Sequence, residues 1–128
     1  MKGKRSFYRS GRWIRKRANI LRRDEYLCQE AKRYGKHREA VTVHHIYPLS
    51  EYPELALEDW NLLSLSNEYH NKMHDRTTGK ITKAGRYWQK KREKELKMFR
   101  ERYPPTLPNS GKTVGESGER TLSNSAGS

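Results

Sequence analysis

Two short apolar runs, Ala40–Ile46 and Leu62–Leu65, restrict the sheet this chain can build to a single hairpin. The first holds Val41, Thr42 and Val43, β-branched residues suited to a pleated, half-buried surface. Pro48 and Pro53 force a loop within the 15-residue connection, which is expected to run over the surface. The remainder of the fold must come from helices. With 32% hydrophobic and 34% charged residues among 128, a large apolar core is out of reach. The length suits one domain with tails, and domains this small commonly need a metal, a disulfide or a partner. Cys28 is the sole cysteine, so no disulfide can form within the chain, which suits a reducing compartment.

In chain order, residues 1–9 read as a basic flexible arm. Ser10 can cap a helix over Gly11–Arg23, whose apolar positions Trp13, Ile14, Ala18, Ile20 and Leu21 lie mostly three and four apart. Residues 24–35 read as irregular, with a turn at Gly35. Asn67 or Ser66 can cap a helix from Glu68 to about Asp75, and Gly79 marks a turn. Thr82 can cap a longer helix, Lys83–Tyr103, stopped by Pro104–Pro105. The Pro-, Ser- and Gly-rich segment 104–128 is predicted to be disordered. The expected organisation is an arm (1–9), a folded domain with flanking helices (10–103) and a tail (104–128).

The formal charge of +13 is unevenly spread. Residues 1–38 carry +11 and residues 80–103 carry +7, whereas residues 39–79 carry −5. Two basic arms thus bracket an acidic segment. Basic surfaces bind polyanions by releasing counterions, and arginines here interleave with Phe7, Tyr8 and Trp13, so the expected partner is nucleic acid. No apolar run approaches a membrane span, and Met1–Ile20 lacks the apolar stretch of a secretory signal. No membrane partner is expected.

The acidic segment holds four of the five histidines. His70 and His74, four apart on the expected helix, would lie on one face and could share an ion. His44 and His45 end the first strand, where neighbouring side chains point to opposite faces. One of the two can therefore supply a third ligand while the other stands near substrate as a proton acceptor. Three protein ligands would leave coordination positions open, as catalytic sites require. Asn61 cannot titrate, and its expected work is hydrogen bonding that holds backbone or imidazole in place.

The order Arg23-Asp24-Glu25-Tyr26-Leu27-Cys28, Val43-His44-His45-Ile46, Pro48-Leu49, Trp60-Asn61-Leu62 and His70-Asn71-Lys72 resembles the HNH endonucleases, also called ββα-metal nucleases, and most of all the small members from bacteriophages and prophages. The resemblance implies an α+β fold: a small ββα-metal core of a two-strand hairpin and a catalytic helix, flanked by basic helices. It implies His44, His70 and His74 as metal ligands, with His74 matching the additional helical histidine of colicin-type DNases. It implies His45 as general base and Asn61 as the residue fixing its loop. The activity implied is metal-dependent hydrolysis of DNA phosphodiesters with low sequence specificity, in the cytoplasm of a bacterial host. One divalent ion is expected, Mg²⁺, Mn²⁺, Ni²⁺ or Zn²⁺. Many phage members carry two Cys-x2-Cys pairs on a structural zinc; here those positions are Cys28, Ala31, Ser66 and Tyr69, so no four-cysteine zinc is expected. Tyr26, Leu27, Ala31 and Tyr69 are expected to close that corner by packing.

Candidates for phosphate contacts are Arg12, Arg15, Lys16, Arg22, Lys72, Arg76, Lys90 and Arg92. A rival reading from another class is a DNA-binding accessory protein of the phage packaging machinery. Such a protein would use the metal structurally, with a terminase as partner.

Overall fold

Helix α1, Lys2–Arg9, replaces the expected flexible arm, and Ser10 ends it by donating its hydroxyl to the Phe7 carbonyl. The computed structural model describes residues 2–104, residues 2–4 by their backbone alone. The predicted disordered tail, Pro104 apart, lies outside the described residues. The same Ser10 caps α2, Gly11–Arg23, accepting a hydrogen bond from the Trp13 amide at 3.2 Å. One serine therefore stops one helix and starts the next, because its backbone is extended while its oxygen satisfies an otherwise orphaned amide.

On α2 the buried residues are Trp13, Ile20 and Leu21. Ile14 and Ala18, expected on the same face, are exposed. The inward stripe instead runs Trp13, Arg17, Ile20, at intervals of four and three, with Arg17 half-buried and donating to the Val41 carbonyl at 2.7 Å. Glu25 and Tyr26 then take left-handed φ of 58° and 59°, turning the chain sharply. Hydrogen bonds from the Tyr26 amide to Leu21 and from the Ala40 amide to Tyr26 hold this unfavourable conformation. The expected irregular stretch contains α3, Gln29–Arg33, capped by the Cys28 sulfur. Tyr26 is exposed and does not help close this corner, whereas Cys28, Ala31 and Tyr69 are buried.

Strands β1 (Thr42–His45) and β2 (Leu62–Leu65) pair antiparallel, with His44 opposite Leu63 and His45 opposite Leu62. Hydrogen bonds from Val41 to Leu65 and from Ile46 to Asn61 extend the ladder at both ends. One sheet face packs on α2, where Trp13, Ile20, Leu21, Ala40, Val43 and Leu62 form a cluster with Phe7 and Leu57. The connection between the strands does not wander over the surface. It makes two short 3₁₀ turns, Pro53–Leu55 and Asp59–Asn61, and buries Leu55 and Asn61 completely. Arg23 ties it down through the Asp59 and Leu62 carbonyls, and Asp24 accepts from Arg23 and from the Ser64 amide. The Arg23–Asp24 pair is thus a clamp between the end of α2 and β2.

Helix α4 spans only Asn67–His70, capped by Ser66, and not the expected Glu68–Asp75. Past Asn71 the amides of Lys72 and Met73 bond three residues back instead of four. That tightening ends the helix, pulls Met73 into the interior and delivers His74 to an isolated bridge with Ile81. The expected helix Lys83–Tyr103 breaks at Arg92 into α5, Lys83–Lys91, capped by Thr82, and α6, Glu93–Arg102. The described residues divide there into two units, 2–92 and 93–104. In the second, α6 buries no residue, and Phe99 packs on Tyr103 with ring centroids 5.0 Å apart. Within the first, the buried Glu30 of α3 accepts from the Trp88 indole of α5 at 2.8 Å and pairs with Arg33. No helix among the described residues is long and apolar enough to cross a membrane.

Candidate active site

Alternation along β1 separates the adjacent histidines. His44 faces α4, and its ring lies 5.3 Å from that of His70 and 6.1 Å from that of His74, centroid to centroid. His45 faces α2, stacked on the Trp13 indole at 5.0 Å and 23° between planes, with Phe7 at 6.0 Å and Tyr8 at 6.3 Å. All four histidines line one cleft with Tyr8, Trp13 and Arg17. His70 and His74 meet there, but not as a helical pair: His74 arrives from the bridge beyond the helix end.

Burial, first, and then the neighbouring His70, His74 and His45 push the His44 pKa down to about 3. Burial and the nearness of His74 lower that of His70. His44 is therefore a neutral imidazole in any near-neutral solution, and among the described residues no hydrogen bond engages the ring nitrogens of His44, His70 or His74. Neutral imidazoles with unengaged nitrogens are the donor chemistry of a divalent first-row metal. Two rings bound to one ion at about 2 Å through nitrogen stand about 5 Å apart by centroid, which the His44–His70 pair meets. The His44–His74 pair is wider. Among the described residues, no three His, Cys, Asp or Glu side chains close into a ready ligand shell.

A stability consequence follows for protein stripped of metal. A histidine whose folded pKa lies near 3 and whose unfolded pKa is 6.5 takes up protons in the unfolded state first as pH falls. Stability should be level above about pH 6.5 and fall by roughly 1.4 kcal/mol per pH unit below it for this one group. Thermal melts in chelator should show this acid slope, and His44→Gln should flatten it. A midpoint unchanged between about pH 7 and 4.5 would contradict the burial of an uncharged His44.

His45 is organised differently. Its Nε2 lies 3.1 Å from the Ala56 carbonyl oxygen. A carbonyl only accepts, so this contact assigns the proton to Nε2 and leaves Nδ1 as the basic nitrogen. Burial lowers the His45 pKa, the Ala56 hydrogen bond opposes that, and His70 adds to the lowering. The position of the Ala56 carbonyl is in turn set by Asn61. The fully buried Asn61 side chain accepts from the Tyr47 amide at 2.8 Å and donates to the Tyr47 and Leu55 carbonyls at 3.2 Å. It thereby staples the two ends of the loop that carries Ala56. Asn61→Ala would remove three buried hydrogen bonds to backbone groups and cost about 3 kcal/mol. Urea denaturation should show this, with Asn61→Asp also destabilised because it loses both donated bonds.

The eight basic candidates are scattered. Arg12, Arg15 and Arg22 are exposed on α2, while Lys16 pairs with Asp59 and serves to hold the loop. Lys72 and Arg76 are exposed beyond α4, with Lys72 within 3.8 Å of Glu68; Lys90 is exposed on α5, and Arg92 is its C-cap. None of these lines the histidine cleft. Arg17 does, and sequence reading passed over it, as it passed over the direct contact of Trp13 with His45. The available signal was the interleaving of arginines with Phe7, Tyr8 and Trp13.

No family model matches this sequence, and no curated protein matches it. Among solved structures, the crystal structure of the HNH endonuclease of the deep-sea thermophilic bacteriophage GVE2 with manganese ion is similar. The two are 29% identical, with a TM-score of 0.54 over 80% of this chain and 87% of that one. The chain resembles the HNH endonucleases and has their small α+β fold.

Proposed function

We propose that this chain is a metal-dependent HNH-type endodeoxyribonuclease, phage or prophage encoded, that hydrolyses DNA phosphodiester bonds with little sequence specificity in the cytoplasm of a bacterial host. The observation that carries the reading is His45, a neutral imidazole with its Nε2 proton engaged by Ala56, lining the same cleft as the cluster of His44, His70 and His74. In this reading Nδ1 of His45 takes a proton from the water that attacks phosphorus, as the bond to the leaving oxygen breaks. Trp13 stacks on the ring and Asn61 fixes the loop beneath it, so the base is held before substrate arrives. His44, His70 and His74 would hold the divalent ion. When bound, such an ion stabilises negative charge on the phosphate and the leaving oxygen.

Incubating supercoiled plasmid with the protein in Mg²⁺, Mn²⁺, Ni²⁺ or Zn²⁺, and in chelator, tests the reading. Metal-dependent nicking or linearisation is the expected result. The second reading is a DNA-binding accessory of the packaging machinery that uses the metal structurally, with a terminase as partner. Binding without cleavage in every metal would favour it.

A further inference from the structure

A second cleft adjoins the first, and His74 and Pro48 line both. Its walls include Lys80, from the turn that precedes the Ile81 bridge, and Arg86 of α5. Neither is ion-paired among the described residues, and Glu51 is the one carboxylate on these walls, so the cleft is net positive. Arg86 is braced: one guanidinium nitrogen donates to the Ile81 carbonyl at 3.0 Å, which fixes its direction and leaves other N–H groups unused. The turn bearing Lys80 is braced too, since the Asp75 amide donates to the Lys80 carbonyl and the Asp75 carboxylate accepts from Thr77 and Thr78. The first cleft also carries Arg17, likewise braced on the Val41 carbonyl.

We infer that the two clefts form one trough for a single nucleic-acid strand, with Lys80 and Arg86 binding a backbone phosphate adjacent to the one at the histidines. The proposal rests on the nuclease reading and adds the substrate path to it. Held cations in the second cleft and Arg17 in the first, with His74 lining both, suit the phosphate repeat of a strand rather than an isolated anion. This trough also answers the charge problem of the segment 39–79, which carries −5 and by itself repels DNA.

The test is binding of a fluorescein-labelled oligonucleotide without metal, by anisotropy over a salt series. Lys80→Ala should reduce the slope of log affinity against log salt by about 1, and Lys80→Ala/Arg86→Ala by about 2. The control pair Lys32→Ala/Lys36→Ala removes two exposed charges outside both clefts and should change the slope far less. In metal, the double variant should lose at least tenfold more activity on an oligonucleotide than on bis(p-nitrophenyl) phosphate, which has no neighbouring phosphate. Because Arg86 also braces Ile81, the Lys80 single variant carries the test if the double variant misfolds. Equal losses in the control pair, or equal losses on both substrates, overturn the proposal while leaving the nuclease reading intact. A wild-type chain that binds no oligonucleotide overturns both.

Discussion

His45→Ala should lower DNA cleavage by a factor of about 10² to 10⁴, the usual range for loss of a positioned general base, while DNA affinity stays within about twofold, since phosphate contacts carry binding. The reason is local. Ala56 holds the Nε2 proton, so the ring has a single basic nitrogen, and the lowered pKa keeps it unprotonated near neutrality. Alanine also removes a buried ring stacked on Trp13, so lost activity alone would not separate chemistry from folding. His45→Gln does separate them. Its amide can still donate to the Ala56 carbonyl but cannot take up a proton from water. Both variants should be inactive in a plasmid assay, with His45→Gln close to wild type in melting temperature. Substantial cleavage by His45→Gln would end the general-base assignment.

Gly85→Ala should destabilise the fold by about 2 kcal/mol, although alanine is the better helix former by about 1 kcal/mol. Gly85 lies in the first turn of α5, against the Met73 carbonyl and the Ile81 side chain beside the His74–Ile81 bridge. A Cβ there would stand 2.5 Å from Ile81 Cγ1 and 2.7 Å from the Met73 carbonyl oxygen. That oxygen cannot retreat freely, because it accepts from the Thr82 amide and Met73 is wholly buried. The helix must move off, or the Met73–His74 backbone must. The melting temperature should fall by roughly 10 °C for a domain of this size. Displacing His74 should also weaken divalent-metal affinity, measured by calorimetry. A variant as stable as the parent would mean that α5 does not fix the position of His74.

These two cases differ in how far they can be read from residues in order. The caps Ser10, Ser66 and Thr82, the strand β2 and the histidine cluster follow from residue type and spacing, because each depends on near neighbours or on strict alternation. Helix α1, the short α3 and the breaks at His70 and Arg92 do not. A segment such as Lys2–Arg9 has too few residues for propensity to declare a helix, and α3 is held by a buried Glu30 that meets Trp88 58 residues away. The same limit concealed Arg17, whose place in the cleft depends on which α2 face meets the sheet.

By itself the sequence determined the chemistry on offer: four clustered histidines, an asparagine before the second strand, and cations on either side. Only the tertiary structure decided how they are used. Packing against α2 and α4 chose the neighbours of His45 and His44, a helix one turn long brought His74 in through a β-bridge, and Asn61 folded a loop inward to set the proton on His45. Each of these depends on a hydrogen bond or packing contact between residues distant in the chain, and local preference carries no record of those.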